Sequence, residues 1–147
     1  MTNKLGNLVL DRWVEGDGDG TTLASAVNGT PVARITSEGL DFAGMLQHAR
    51  NIGGSNLRRM TFHERGDMLK SLAKYLMERK EEIYALSTET GATRSDSWVD
   101  IDGGISTLFV FSSKGRREMP NDRGCLDGPP EHLARNGTFV GQHICTP

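Results

Sequence analysis

The residues predict a loop-connected chain of helices and strands, and three observations carry that reading. Asn28-Gly29 sits between two apolar arms in "TTLASAVNGTPVARIT", a strong hairpin signal. Helical spacing of apolar residues begins near Asp41 and recurs to about residue 117. The closing stretch "GTFVGQHICTP" alternates loosely, as a strand does.

Residues 7–14 read as one short strand, followed by the turn "EGDGDGTT", whose glycines and aspartates tolerate turn backbone angles. The hairpin comes next, and Pro31 makes its second arm an edge strand or delays its start. Phe42, Met45, Leu46 and Ala49 share one face of a helix expected to end at Gly53-Gly54. Thr61 and Glu64 have capping-box spacing, and Met68, Leu69, Leu72, Leu76 and Ile83 continue an apolar stripe. A break is expected near Arg79-Lys80, with a further helix running to Gly91. Thr93-x-x-Asp96 repeats the capping box, and Trp98, Ile101, Ile105 and Leu108 form the expected buried face of a long helix. Val99, Gly103 and Val110 lie on a neighbouring face. From Pro120 the composition turns to loop residues, "PNDRGCLDGPPEH", before the final strand.

The totals exclude several function classes. At 147 residues the chain is long enough for one domain with a core, and a net charge of −2 gives no basic field for nucleic acid or anionic lipid. The apolar runs are too short to span a membrane. The amino terminus has no apolar segment with a small-residue cleavage site, and two cysteines make no disulfide scaffold, so a cytoplasmic setting is expected.

The chemistry-bearing residues favour plain structural roles when read alone. "GDGDG" lacks dinucleotide-loop spacing and its aspartates would repel a pyrophosphate, so it reads as a turn. Cys145 and His143 share a strand face but have no orienting acid, so Cys145 reads as structural. His48, His63, His132 and His143 show no metal-ligand spacing, and His63 reads as solvated. Asn28-Gly29-Thr30 and Asn136-Gly137-Thr138 match glycosylation acceptors but read as turns. "ERKEE" reads as a solvated helix face. The feature that resists a bland account is Gly103-Gly104 inside a helix, where each glycine costs about 1 kcal/mol relative to alanine.

The stretch "MTFHERGDMLKSLAKYLMERKEEIYALSTETGATRSDSWVDIDGGISTLF", with "SEGLDFAGMLQHAR" and "GTFVGQHICTP", resembles the amino-terminal region of the aldehyde dehydrogenase superfamily. Within it the likeness is strongest to the bifunctional proteins of phenylacetate degradation, which join a semialdehyde dehydrogenase to a ring-opening hydratase. The resemblance implies an α/β fold of which this chain is the first part. Residues 1–119 would be the hairpin and helical part, and residues 120–147 would begin the bridging strands that mediate homo-oligomer formation.

In the family a cysteine thiolate attacks the aldehyde, amide donors hold the oxyanion, hydride passes to NAD or NADP, and a glutamate activates water. The resemblance places those groups beyond this chain, so Cys125 and Cys145 receive no catalytic role, and no cofactor or metal is expected on this chain alone. It also places the helix of "VDID" at the substrate entrance. Val99, Gly103 and Gly104 then become candidates for the substrate tunnel, with glycine leaving room for a semialdehyde carried on coenzyme A. Close packing of Gly103 or Gly104 against a helix is the alternative. The implied activity is oxidation of an acyl-CoA semialdehyde in phenylacetate degradation, or by the related semialdehyde dehydrogenase of the benzoyl-CoA pathway. From a different class, the chain would be a non-catalytic oligomerisation or interaction fragment.

With neither an activated nucleophile nor a dinucleotide loop in the sequence, the purified chain should reduce no NAD or NADP when given a panel of aldehydes. Nicotinamide absorbance rising above the buffer control would refute this.

Overall fold

The structure is a computed structural model that describes residues 3–146. Six strands and five α-helices follow in the order β1 (Asn7–Val9), β2 (Arg12–Val14), β3 (Thr21–Ala24), β4 (Pro31–Ile35), α1 (Phe42–His48), α2 (Gly54–Arg59), α3 (Phe62–Glu78), α4 (Lys80–Thr88), α5 (Arg94–Arg117), β5 (Cys125–His132) and β6 (Val140–Cys145). The strands form three separate antiparallel pairs, β1-β2, β3-β4 and β5-β6. The chain divides into two compact units, one of residues 1–53 and 76–105, the other of residues 54–75 and 106–147.

In the first unit, the single strand expected over residues 7–14 is instead a tight hairpin. Leu10 and Asp11 turn the chain with φ of 51° and 62°. Asp11 tolerates a left-handed backbone, but Leu10 at the other central position gives no such signal. β3 and β4 pair as expected, with a bulge between Leu23 and Ala24. Asn28-Gly29 closes this hairpin as part of a longer loop: the Ser25 amide donates to the Thr30 carbonyl at 2.8 Å, and Gly29 has φ of 74°. The Asn28 side chain accepts from the Thr30 amide at 2.9 Å, which holds the loop in place of a two-residue turn.

Asp41 caps α1 by accepting from the Gly44 amide at 2.8 Å. The helix does not stop at Gly53-Gly54. A π-helical turn over Ala49–Gly53 carries the chain into α2. The expected apolar face of α1 is open, with Phe42 and Leu46 both exposed. The buried apolar side chains of this unit are Val9, Ala33, Tyr84, Ile101 and Ile105.

In the second unit, Thr61 and Glu64 form the expected capping box: the Thr61 amide donates to Glu64 at 2.7 Å and the Glu64 amide to Thr61 Oγ1 at 3.2 Å. His63 is half-buried rather than solvated, and the Met119 carbonyl accepts from its Nε2 at 3.0 Å. Small residues face the interior here. Gly66, Ala73 and Ser112 are buried, while Met68 and Leu72 of the expected stripe are exposed. A β-carbon on Gly66 would lie 3.1 Å from the Ser112 carbonyl oxygen, so α3 and α5 approach backbone to backbone.

Residues 125–132, which read as loop by composition while the resemblance assigned residues 120–147 to strands, form β5. Its register jumps from Asp127 opposite His143 to Glu131 opposite Gly141. Gly128, Pro129 and Pro130 are thereby gathered into a bulge, which lets two prolines sit within a strand without breaking the ladder on either side. The Gln142 side-chain amide donates to the Gly128 carbonyl at 3.0 Å across that bulge.

The Gly66 contact sets an expectation. Gly66→Leu should destabilise the chain by about 1–3 kcal/mol through overpacking. Gly115→Ala, whose β-carbon would meet the Phe62 carbonyl at an ordinary 3.6 Å, should be neutral or stabilising by up to about 1 kcal/mol. Thermal melts followed by circular dichroism distinguish the two.

Candidate functional site

The candidate residues Val99, Gly103 and Gly104 lie on α5, whose start is built by the expected capping box. The Thr93 amide donates to Asp96 at 3.1 Å and the Asp96 amide to Thr93 Oγ1 at 3.2 Å. The Thr93 hydroxyl and amide both bond the Asp96 carboxylate and hold it below the usual carboxylate range.

The buried face of this part of α5 is Ser97, Ile101 and Ile105. Trp98, expected on that face, is 61% exposed. Ser97 takes its place because a small hydroxyl fits where α5 meets α4: its Oγ lies 2.8 Å from Ser87 Oγ. The spacing of four between Ser97, Ile101 and Ile105 is a sound helical stripe, but a sequence reading favours the large Trp98 over the small Ser97.

One residue further round, Asp102 ties α5 to α4. The Tyr84 hydroxyl donates to Asp102 Oδ2, and Lys80 Nζ donates to Oδ1 at 3.0 Å. The hydrogen bond from Tyr84, then that from Lys80, hold the Asp102 carboxyl below its usual range. The same bond to Asp102, aided by burial, pushes the Tyr84 phenol up. The Arg94 guanidinium stacks 3.7 Å from the centre of the Tyr84 ring and bonds Glu81 at 3.2 Å. Lys80 of "ERKEE" is thus a helix-to-helix partner of Asp102, while Glu81 stays on a solvated face from which it reaches Arg94. The sequence reading missed this network, because it joins residues across two helices. Its one local signal was an aspartate directly beside a buried isoleucine.

With Ile101 and Ile105 turned inward, the arc bearing Val99 and Gly103 faces the other way. Val99 is 60% exposed and both glycines are exposed. A β-carbon built on Gly103 or on Gly104 meets no atom within 4 Å. Among the described residues, no atom therefore crowds either β-carbon position in the way that Ser112 crowds Gly66.

The glycine-rich loop at residues 16–20 does not fit a dinucleotide. It runs into β3 rather than into a helix N-terminus that could receive a pyrophosphate. Its carbonyls at Gly16 and Gly18 already accept from Lys4 Nζ at 2.9 and 2.8 Å, and Asp17 and Asp19 keep the loop acidic. Among the described residues no group of three or more His, Cys, Asp or Glu side chains is arranged to hold a metal ion. No helix is long and apolar enough to cross a membrane, again among the described residues.

The model of the aldehyde dehydrogenase family matches residues 13–133. The chain is also 34% identical over 145 residues to the 3,4-dehydroadipyl-CoA semialdehyde dehydrogenase of Aromatoleum evansii, an alignment covering 98% of this chain and 28% of that protein. The chain thus spans less than a third of the length of the curated relative it matches.

The Asp102 network predicts a pH dependence with two limbs. A carboxyl held low contributes stability that is complete above the usual carboxylate range and is lost as pH falls through its folded value. A phenol held high contributes stability that is complete below the usual tyrosine range and is lost as pH rises through its folded value. Asp102→Asn should therefore blunt the acid fall in melting temperature, and Tyr84→Phe the alkaline fall. Both variants should melt below the parent at pH 7. Melts from pH 3 to pH 11, with profiles for either variant parallel to the parent's, would reject the assignment.

Proposed function

The chain belongs to the aldehyde dehydrogenase family, and from that membership we propose that it is the amino-terminal part of an NAD- or NADP-dependent enzyme that oxidises an acyl-CoA semialdehyde. The likeness along nearly the whole chain to a relative named for a CoA semialdehyde supports this substrate class most directly. Aromatic degradation is the metabolic setting of the proposal, phenylacetate breakdown its first candidate. The chain alone is inactive in this reading, since its one glycine-rich loop does not fit the cofactor and neither cysteine matches the family's nucleophile.

The part that this chain plays is to shape the approach to the reacting centre. α5 presents Val99 and Gly103 one turn apart as one wall of the path by which the aldehyde arrives, with Gly104 a further candidate about 100° round the helix. Glycine at both positions leaves the helix backbone uncovered, so a substrate trailing a coenzyme A arm passes where a side chain would stand. The open space at both β-carbon positions supports this role over helix packing. The Asp102 bonds to α4 keep the wall from rotating. The segment from Pro120 onward belongs to the bridging strands and assists homo-oligomer formation.

Gly103→Met in the full-length protein tests the wall. A good helix former in open space should raise stability by a few tenths to about 1 kcal/mol. The same side chain should lower kcat/KM for the acyl-CoA semialdehyde while a slim aliphatic aldehyde is still oxidised at the parent rate. Melting temperature and both kcat/KM values, measured side by side, give the answer. A destabilised variant that loses both activities equally would show Gly103 to be a packing residue.

A further inference from the structure

The β5-β6 hairpin places the two cysteines of the chain directly opposite each other. Cys125 pairs with Cys145, and two residues along, Asp127 pairs with His143. Because side chains alternate, these four residues lie on one face of the hairpin, with Leu126 and Ile144 on the other. Both cysteines are free; Cys125 is half-buried and Cys145 exposed.

Directly opposed residues of an antiparallel pair have α-carbons about 4.5–5.5 Å apart. That lies within the range of about 4.4–6.8 Å that disulfides span. The thiols also interact: burial first, and then a hydrogen bond with Cys145, push the Cys125 thiol up. Asp127, facing the same side, adds to that effect. The register is fixed by the rungs at Leu126 and Asp127 on one side and by the bulge beyond them, so neither strand must slide for the sulfurs to meet.

The geometry points to Cys125 and Cys145 as a dithiol modification site that closes to an intramolecular disulfide on exposure to a small-molecule disulfide. The exposed Cys145 reacts first. Its thiolate attacks one sulfur of the oxidant, the oxidant's S–S bond breaks, and one thiolate leaves. The Cys125 thiolate then attacks Cys145 Sγ, forming the Cys125–Cys145 bond and expelling the second thiolate. The two protons lost by the cysteines go to the two departing thiols. One disulfide is reduced and one is formed.

This site is independent of the aldehyde-oxidising role, and the 147-residue chain itself serves for its test. The reduced chain is incubated with stepped ratios of oxidised to reduced glutathione, with and without concentrated urea, then alkylated and digested for mass spectrometry. In buffer, the expected product is a disulfide joining the Cys125 and Cys145 peptides, at a yield unaffected by protein concentration. The preorganised pair should need at least about tenfold less oxidised glutathione than the same chain in urea. Cys125→Ser should stop at a glutathione adduct on Cys145. Three results would each overturn the inference: glutathione adducts on both cysteines of the parent, disulfide-linked dimers that increase with concentration, or a midpoint equal to that in urea.

Discussion

The Asp102 carboxylate is the constraint on which the candidate site depends. A helix packed by a narrow apolar stripe can rotate by some tens of degrees at little cost. α5 packs on only two large aliphatic side chains in its unit, Ile101 and Ile105. Asp102 removes that freedom by accepting from two directions on α4, the Tyr84 hydroxyl and the Lys80 ammonium. Arg94 then covers the Tyr84 ring and reaches Glu81, so the same helix pair is held a second time near the start of α5. The outward direction of Val99 and Gly103 accords with this lock, since Ile101 and Ile105 on the opposite arc are turned inward.

The glycines of the chain divide by what surrounds them. Gly66 sits where helix backbones meet, and its missing side chain is used up by the Ser112 carbonyl. Gly103 and Gly104 have open space where their side chains would be. Both kinds cost helix stability in the same way. In the first case close packing offsets the loss. In the second, no close approach at the β-carbon positions does so among the described residues.

Local chemistry was legible in the sequence, and distant partnership was not. Thr61–Glu64 and Thr93–Asp96 were both readable because a capping box is a pattern of four consecutive residues. The Arg79 break and the Asp41 start were readable for similar reasons. The Leu10-Asp11 turn was not, because its left-handed angles are imposed by the pairing of Asn7 with Val14 on either side. Trp98 was misplaced because size suggested burial, whereas the small Ser97 is the residue buried against α4. Pro129 and Pro130 hid β5, because the bulge that accommodates them exists only once β6 is opposite. Of the site, the glycine pair could be picked out by its oddity, but the lock that orients it could not. The family likeness was legible in "TGATRSDSWVDIDGGI" and stands in the match over residues 13–133.

The bulge in β5 also governs how this hairpin can meet other chains. A bare strand edge offers a row of amide donors and carbonyl acceptors on which a further strand can grow. At Pro129 and Pro130 two successive donors are missing from β5, and the backbone is kinked out of line by the three residues opposite Gln142. A strand approaching that border would lose its register after two or three rungs. β6 carries no proline between Val140 and Cys145 and keeps its full set of donors. The two borders of the hairpin are therefore unequal: β5 is interrupted by two prolines and β6 by none.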